Sequence, residues 1–532
     1  MYIRRRLLAG KNRTKVMICR SIRKGKKISQ ETVKYFGIAH TDQEFQVLLK
    51  IAELELKRLT QSPSKEKKIL FEEMVEESRI SEGFHEIFGT FFDRINLRSH
   101  FSKLRYEQLR DVVIARIAQP VSKRHTARFL QRTRLKKISE DQIYRLMDCV
   151  LDRETVIKTN VFNTTKQLSL NETIDLLFFD VTTLYFESQK ADELRDFGYG
   201  KDHKIGETQI VLALATTSEG FPIGYTLFSG KTAEVSTLIQ CIEEWRKVIK
   251  IEKVTIVADR AMMSEANLHA MDQLGMHYLV AAKLKQLPTK LKNEILQRQQ
   301  EIEGMTGEEK VLFKEHTHNG RRLIVNYSEK RALKDRGDRN RLLARLSSKA
   351  LPNGETDLRK LVTNRGFLKF VTEKGKGTVI LNEEKIAEET KWDGLHGVIT
   401  NDASAHAMEL ISRYRQLWII EESFRLNKHT LAMRPMYHFK PERIKAHILI
   451  CYLAFAVLRY TQRQIRAFDQ SLTIEKVLEE LEHVESSILR DGSGQKYKVP
   501  SKMSRIAEMI YLAVGMKRNS RAQKMSEEKL AV

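Results

Sequence analysis

The stretch "IDLLFFDVTTLYF", Ile174 to Phe186, decides the fold. It reads as a strand whose apolar run is broken by one acid, Asp180. Downstream, "TQIVLALATTSEGFPIGYTLF" (Thr208 to Phe228) reads as two strands around the turn Ser218-Glu219-Gly220. "KVTIVADRAM" (Lys253 to Met262) is another strand, again ending in an acid, Asp259, and "HYLVAAKL" (His277 to Leu284) is the next. Helical segments such as "LIQCIEEWRKVI" (Leu238 to Ile249) alternate with them. Strands and helices in this order predict a mixed α/β sheet.

The flanks differ in texture. Residues 1 to 40 carry Arg4, Arg5, Arg6, Lys11, Arg13, Lys15, Arg20, Arg23, Lys24, Lys26, Lys27 and Lys34 against Glu31 alone. They predict two short strands around a turn at Lys24-Gly25, with Arg4, Arg5, Arg6, Lys24, Lys26 and Lys27 on a DNA backbone. Residues 41 to 170 are helical in pattern, which fits a DNA-binding domain or a generic helical domain with a charged face. Within them "ISEDQIYRLMDCVLD" opens with a capping box, Ser139 with Gln142. The core runs over 171 to 284. Residues 285 to 395, with strand-like pieces "RRLIVNYS" and "GTVILN", predict a strand-rich insertion domain. The sheet resumes at "DGLHGVITND", and 396 to 440 form the second part of the core. From 441 to 532 the chain is expected to be helical, ending in a basic polar tail.

Composition narrows the partners. The chain has 532 residues, 41% of them apolar, which is a globular balance with room for several domains. A formal net charge of +24 and a pI near 9.6 imply a polyanion, most simply nucleic acid. No amphipathic basic helix beside a lipidation motif argues for a membrane. The longest apolar run, "ILICYLAFAVL" (Ile448 to Leu458), is too short to span a bilayer and reads as a buried helix. The four cysteines stand far apart, which suggests neither a zinc knuckle nor a disulfide framework, and a reducing cytoplasm is expected. The N-terminus lacks the apolar stretch of a signal peptide.

Asp180 and Asp259 each end a buried-looking strand, the position from which a carboxylate reaches over a sheet edge. One such Asp is commonly a helix cap. Two, together with a helical Glu, point to a site for Mg²⁺ or Mn²⁺, which take hard oxygen ligands. Two ions about 3.5–4 Å apart can align the attacking and leaving oxygens of a phosphodiester. The Glu lies in "YRQLWIIEESFRLNK" (Tyr414 to Lys428), a helix by pattern. At about 100° per residue, Leu417, Ile420 and Phe424 define the buried stripe. Tyr414, Trp418, Glu421, Arg425 and Lys428 then border it, and Glu422 faces solvent as a surface acid. Glu421 could pair with Arg425 at i+4 as well. Trp392 and Trp418 are candidate base stackers, with packing as the ordinary role. "GYTLFSGKT" (Gly224 to Thr232) is one residue too long for a Walker A loop, so no nucleotide cofactor is expected.

With these residues in place the sequence resembles the DDE transposases of bacterial insertion sequences, in the group with a Y-x2-R-x3-E-x6-K signature on the last catalytic helix. Tyr414, Glu421 and Lys428 match that spacing, and Leu417 stands at the family's Arg position. "FFDVTTLYF", "FGYGKDHKIGETQIVLALATTSEGFPIGYTLFSGKTAE", "VADRAM" and "LWIIEESFRLNKHTLAMRPMYHFKPERIKAHI" resemble the group's landmarks in their order, over roughly 174 to 460. The resemblance implies an RNase H-like core with Asp180, Asp259 and Glu421 as a metal-holding catalytic triad and two Mg²⁺ ions (Mn²⁺ as substitute). It implies that Tyr414, Arg425 and Lys428 contact DNA near the cut. It also implies a homodimer on paired terminal inverted repeats, at the bacterial nucleoid. The rival readings are a nuclease of the same fold without strand joining and a non-catalytic DNA-binding repressor.

Overall fold

The computed structural model describes all residues except 9–12, 25–26, 61–73, 170–173, 187–189, 199–206, 250–253, 260–261, 263, 304–311, 349–355, 358–364, 376–377, 435 and 526–532. The chain divides into two compact units, Met1–Met74 and Val75–Val532. The first holds strands β1 (Tyr2–Leu7), β2 (Thr14–Lys24) and β3 (Lys27–Ala39) and helix α1 (Asp42–Thr60). The strands form one antiparallel sheet in the order β1-β2-β3, and Lys24 opposite Lys27 closes the β2–β3 hairpin. The expected turn at Lys24-Gly25 falls in part outside the described residues, and the sheet has three strands, two of them long. Alternation along β2 turns Val16 and Ile18 inward, where they pack with Phe36 of β3 and Ala52 of α1. The unit therefore extends past the boundary expected at residue 40. Lys26 lies outside the described residues.

The second unit begins with β4 (Val75–Ser81) and five helices: α2 (Gly83–Arg94), α3 (Lys103–Ala118), α4 (Lys123–Arg134), α5 (Glu140–Leu151) and α6 (Glu154–Leu168). At the start of α5, Ser139 Oγ accepts from the Gln142 N–H (3.2 Å) and the Gln142 side chain accepts from the Ser139 N–H (2.8 Å), the capping box expected there. Then come β5 (Leu176–Tyr185), β6 (Asp196–Phe197), β7 (Thr208–Thr216), β8 (Pro222–Ser229), α7 (Glu234–Ile249), β9 (Thr255–Ala258), α8 (Glu265–Gln273), β10 (His277–Ala281) and α9 (Thr289–Glu303). After these follow β11 (Leu312–His318), β12 (Arg321–Tyr327), α10 (Glu329–Ser347), β13 (Thr356–Asp357), β14 (Val371–Gly375), β15 (Thr378–Leu381), α11 (Glu383–Thr390) and β16 (Leu395–Thr400). The chain ends with α12 (Ala407–Arg415), α13 (Trp418–Arg425), α14 (Pro441–Phe468), α15 (Ile474–Glu482), β17 (Glu485–Arg490), β18 (Lys496–Pro500), α16 (Arg505–Ala513) and β19 (Gln523–Lys524).

The central sheet is mixed and runs β11-β12-β16-β10-β9-β5-β7-β6, with β8 also on β7. β5, β9 and β10 are parallel, and β7 and β16 flank them antiparallel. Period-two alternation splits the side chains between two cores. Leu177, Phe179, Val181, Ile256 and Ala258 face one layer, which includes Leu238, Ile242 and Trp245 of α7 and Leu268 and Met271 of α8. Phe178, Leu184, Leu212, Leu214 and Val257 face the other, which includes Ile419, Ile420 and Phe424 of α13 and most of α14. The sheet is thus covered on both faces. Within α14, "ILICYLAFAVL" is buried as expected: the helix is apolar and long enough to cross a membrane, yet 94% of its most apolar window lies inside the protein.

Two expectations need correcting. The region 285 to 395 is not a separate strand-rich domain. β11 and β12, which include "RRLIVNYS", extend the central sheet, with β12 registered against β16. Only β13, β14 and β15 form a sheet of their own, and α9, α10 and α11 occupy much of the remainder. The C-terminal region is not helical throughout either. β17, β18 and β19 join β4 in a four-stranded sheet, so the end of the chain closes onto the start of this unit. Glu82 fastens the junction, ion-paired with Arg518 at 2.9 Å and accepting from Ser486 Oγ at 2.5 Å.

Candidate active site

The parallel register of β5 and β9 builds the site. Phe178 stands beside Val257 and Phe179 beside Ala258. One step further, Asp180 and Asp259 come level on neighbouring strands, which run about 4.8 Å apart. Alternation then gives both carboxylates one direction: Phe178 and Val257, two residues before each, face the α13 and α14 layer. Asp180 is not at a strand end, as the sequence suggested, but in the middle of β5, where pairing to β9 stops and pairing to β7 continues. It is half-buried, and its Oδ1 accepts the Val181 N–H at 2.7 Å. Asp259 is exposed just beyond β9, where the Met262 N–H donates to its carbonyl and starts a turn. Two carboxylates side by side are hard oxygen donors, the chemistry that Mg²⁺ or Mn²⁺ takes.

The stretch Tyr414 to Lys428 is not one straight helix. α12 ends at Arg415, α13 starts at Trp418, and a π turn, Leu426–Thr430, follows. The buried side of α13 also differs from the apolar stripe. Ile419, Ile420, Ser423 and Phe424 are buried, as are Leu426 and Asn427 after them. Ser423 Oγ donates to the Ile419 carbonyl (2.8 Å) and Asn427 Nδ2 to the Ser423 carbonyl (2.9 Å), so both polar groups are satisfied inside the helix. The core's centre shifts accordingly. Glu421 is exposed, next to the exposed Trp418 and Arg425, and makes no ion pair with Arg425.

Glu422, read as a solvent-facing acid, is the partly buried one. Its Oε2 accepts from Arg459 Nη1 of α14 at 3.0 Å, and only 4% of the Arg459 side chain is exposed. Arg459 also donates to Ser423 Oγ (3.0 Å) and Gln462 Oε1 (2.8 Å). Burial pulls the Arg459 pKa down from its ordinary value, and Glu422 opposes that pull. Sequence reading missed this pair. Its signal was the Arg that directly follows the apolar run of α14, since a buried cation needs a partner.

Tyr414 is half-buried at the end of α12, its ring 5.1 Å from that of His396 on β16. Lys428 lies in the π turn and is half-buried. The structure brings Asp180 and Asp259 together. It does not gather Glu421 with them: among the described residues no group of three or more His, Cys, Asp or Glu is arranged to hold an ion. Trp392 packs in the core, whereas Trp418 is 54% exposed. "GYTLFSGKT" is largely strand β8, and Lys231 pairs with Asp196 at 3.2 Å. In the first unit Arg4, Arg5 and Arg6 are exposed, with the Arg5 guanidinium over the Phe45 ring at 5.6 Å.

Residues 171–457, more than half of the chain, match the family model described as a transposase DDE domain. No curated protein matches the sequence. Among solved structures the chain is similar to a cryo-EM structure of the piggyBac transposase synaptic complex with hairpin DNA, at 12% identity, covering 75% of this chain and 77% of that one, with a TM-score of 0.36. It is also similar to the Mos1 transposase paired-end complex with the left transposon end, at 11% identity, covering 43% and 66%, with a TM-score of 0.15.

Proposed function

The chain belongs to the DDE transposase family, and from that premise we propose that it is the transposase of an insertion sequence, cleaving DNA at the element's terminal inverted repeats and joining the freed ends to target DNA. The observation that carries the proposal is the level pair of Asp180 in β5 and Asp259 just beyond the parallel β9, on the sheet face that packs against α13. On this reading the mixed sheet is an RNase H-like core, and the helix carrying Glu421 belongs to the Y-R-E-K group with Leu417 in place of the Arg. Asp180, Asp259 and Glu421 would hold Mg²⁺ or Mn²⁺, which would supply charge stabilisation at the phosphodiester. The exposed Arg425, with Lys428 and Tyr414, would hold phosphates beside the cut. Arg4, Arg5 and Arg6, with the lysines at the β2–β3 turn, would hold duplex DNA further out. Water adds to phosphorus and the element's 3′ oxygen leaves; that 3′-hydroxyl then attacks a target phosphate and displaces its 3′ oxygen. A homodimer would pair two ends, in the cytoplasm at the nucleoid. The test is incubation with terminal DNA and Mg²⁺, scoring nicked and joined products. Nicks without joined products would leave the nuclease reading, and binding without cleavage the repressor reading.

A further inference from the structure

Among the described residues, helix α10, Glu329–Ser347, is held on one side only. Arg339 grips Asp393 with both guanidinium nitrogens (2.5 and 2.7 Å), and Asp335 Oδ2 accepts the Gly394 N–H at 3.1 Å. Ala332 and Leu346 are its only buried residues, and Leu346 packs with Phe367, Val371 and Val379. At about 100° per residue these four anchoring positions share one face. Roughly 150° around the helix, Lys330, Lys334, Arg341 and Arg345 fall within about 60° of one another, all exposed. Arg341 is paired with the neighbouring Asp338; Lys330, Lys334 and Arg345 form no ion pair among the described residues.

Gly337 borders this basic stripe, midway along the helix between Lys334 and Arg341 and about 20° outside the arc that the four cations span. A glycine inside an exposed helix weakens it relative to alanine, and no packing accounts for it: a Cβ there would meet no atom within 4 Å. An open backbone beside four cations suits the close approach of an extended polyanion, and the chain's net charge of +24 makes nucleic acid the fitting one. We propose that the outer face of α10 binds the phosphate backbone of duplex DNA, with Gly337 as the point of closest approach. This rests on the transposase reading and assigns it a DNA-binding face outside the catalytic carboxylates and outside the basic N-terminal unit.

The experiment measures affinity of the full chain for a fluorescein-labelled duplex across a salt series. It compares wild type with the combined K330Q, K334Q, R341Q and R345Q variant, with G337A, and with R336Q on the helix flank. Each phosphate held contributes about 0.9 to the slope of log affinity against log salt, so the slope of the combined variant should fall by about 3 to 4. R336Q should keep the wild-type slope. G337A should melt higher, as expected of an exposed helix, and yet bind DNA several-fold more weakly. That opposite pair of shifts is one a purely structural role would not produce. An unchanged slope in the combined variant overturns the proposal, and wild-type cleavage in Mg²⁺ alongside it would leave the transposase reading intact. G337A that melts higher and binds as tightly as wild type overturns the close approach. A wild-type chain that neither binds nor cuts DNA overturns both.

Discussion

Glu421 and Glu422 are adjacent in sequence and face different surroundings. The phase drawn from Leu417, Ile420 and Phe424 set the centre of the core to one side, because it left out Ile419 and the polar residues of the helix. Ser423 and Asn427 are buried too, made tolerable by hydrogen bonds to the preceding turn. The corrected phase leaves Glu421 open to a ligand and turns Glu422 toward Arg459. Glu421→Gln should therefore abolish cleavage and leave the melting temperature unchanged. Glu422→Gln should lower stability by about 2 kcal/mol, below the 3–5 typical of a broken buried pair, because Arg459 keeps its bonds to Ser423 and Gln462. Cleavage assays and thermal melts on both variants check this; loss of activity without loss of stability in Glu422→Gln would reverse the assignment. Asp180→Asn keeps the size of the side chain and removes its charge. It should stop cleavage in Mg²⁺ while duplex binding without metal persists, and wild-type cutting by that variant would remove Asp180 from the site.

At the scale of elements, legibility followed burial. β5, β7, β8, β9 and β10 were readable because strands covered on both faces are continuous apolar runs, and their acids stood out against that background. β17 and β18 were not. "ESSILR" and "KYKVP" are only partly buried and follow the Glu-rich α15, so no alternation separates them from a polar tail. β12 was recognised as a strand but assigned to an insertion, since pairing with β16 across a long gap leaves no local mark, and β11 beside it was not singled out. The packing of α4 against α14 was equally invisible. There Lys123 Nζ lies 3.1 Å from His447 Nδ1, with Arg116, His438 and Cys451 as the other titratable neighbours and no carboxylate among the charged groups acting on it. Burial, then Arg116, pushes the Lys123 ammonium down to about 7 from its ordinary 10.5. Between those values the unfolded chain holds a proton that the folded chain does not, so this group makes stability rise with pH across that window. Lys123→Met should melt higher than wild type at pH 7, and the difference should shrink as pH approaches 10. A difference that is constant with pH would show that Lys123 does not titrate on unfolding.

Over the whole molecule, the excess of positive charge has to be divided between folding units before it explains anything. The basic segment 1 to 40 has a small core of its own, in which Val16, Ile18 and Phe36 pack with Ala52 of α1. The unit to remove is therefore Met1–Met74 and not the hairpin alone, because cutting after His40 would strip α1 of the sheet it covers. A chain starting at Val75 keeps β4, its pairing to β17 and the entire central sheet. It should fold, and its Asp180 and Asp259 should remain level. If the first unit holds DNA through its exposed arginines, this shortened chain should bind duplex DNA less tightly. Its salt dependence should be shallower by about 0.9 for each phosphate that the first unit neutralises. Any residual slope would then belong to the second unit, where the outer face of α10 is the surface proposed. Combining the shortened chain with the K330Q, K334Q, R341Q and R345Q changes separates the two. Independent binding by the two units predicts that the reductions in slope add. A shortened chain with the full wild-type slope would confine DNA binding to the second unit and leave the basic sheet as a surface for another partner.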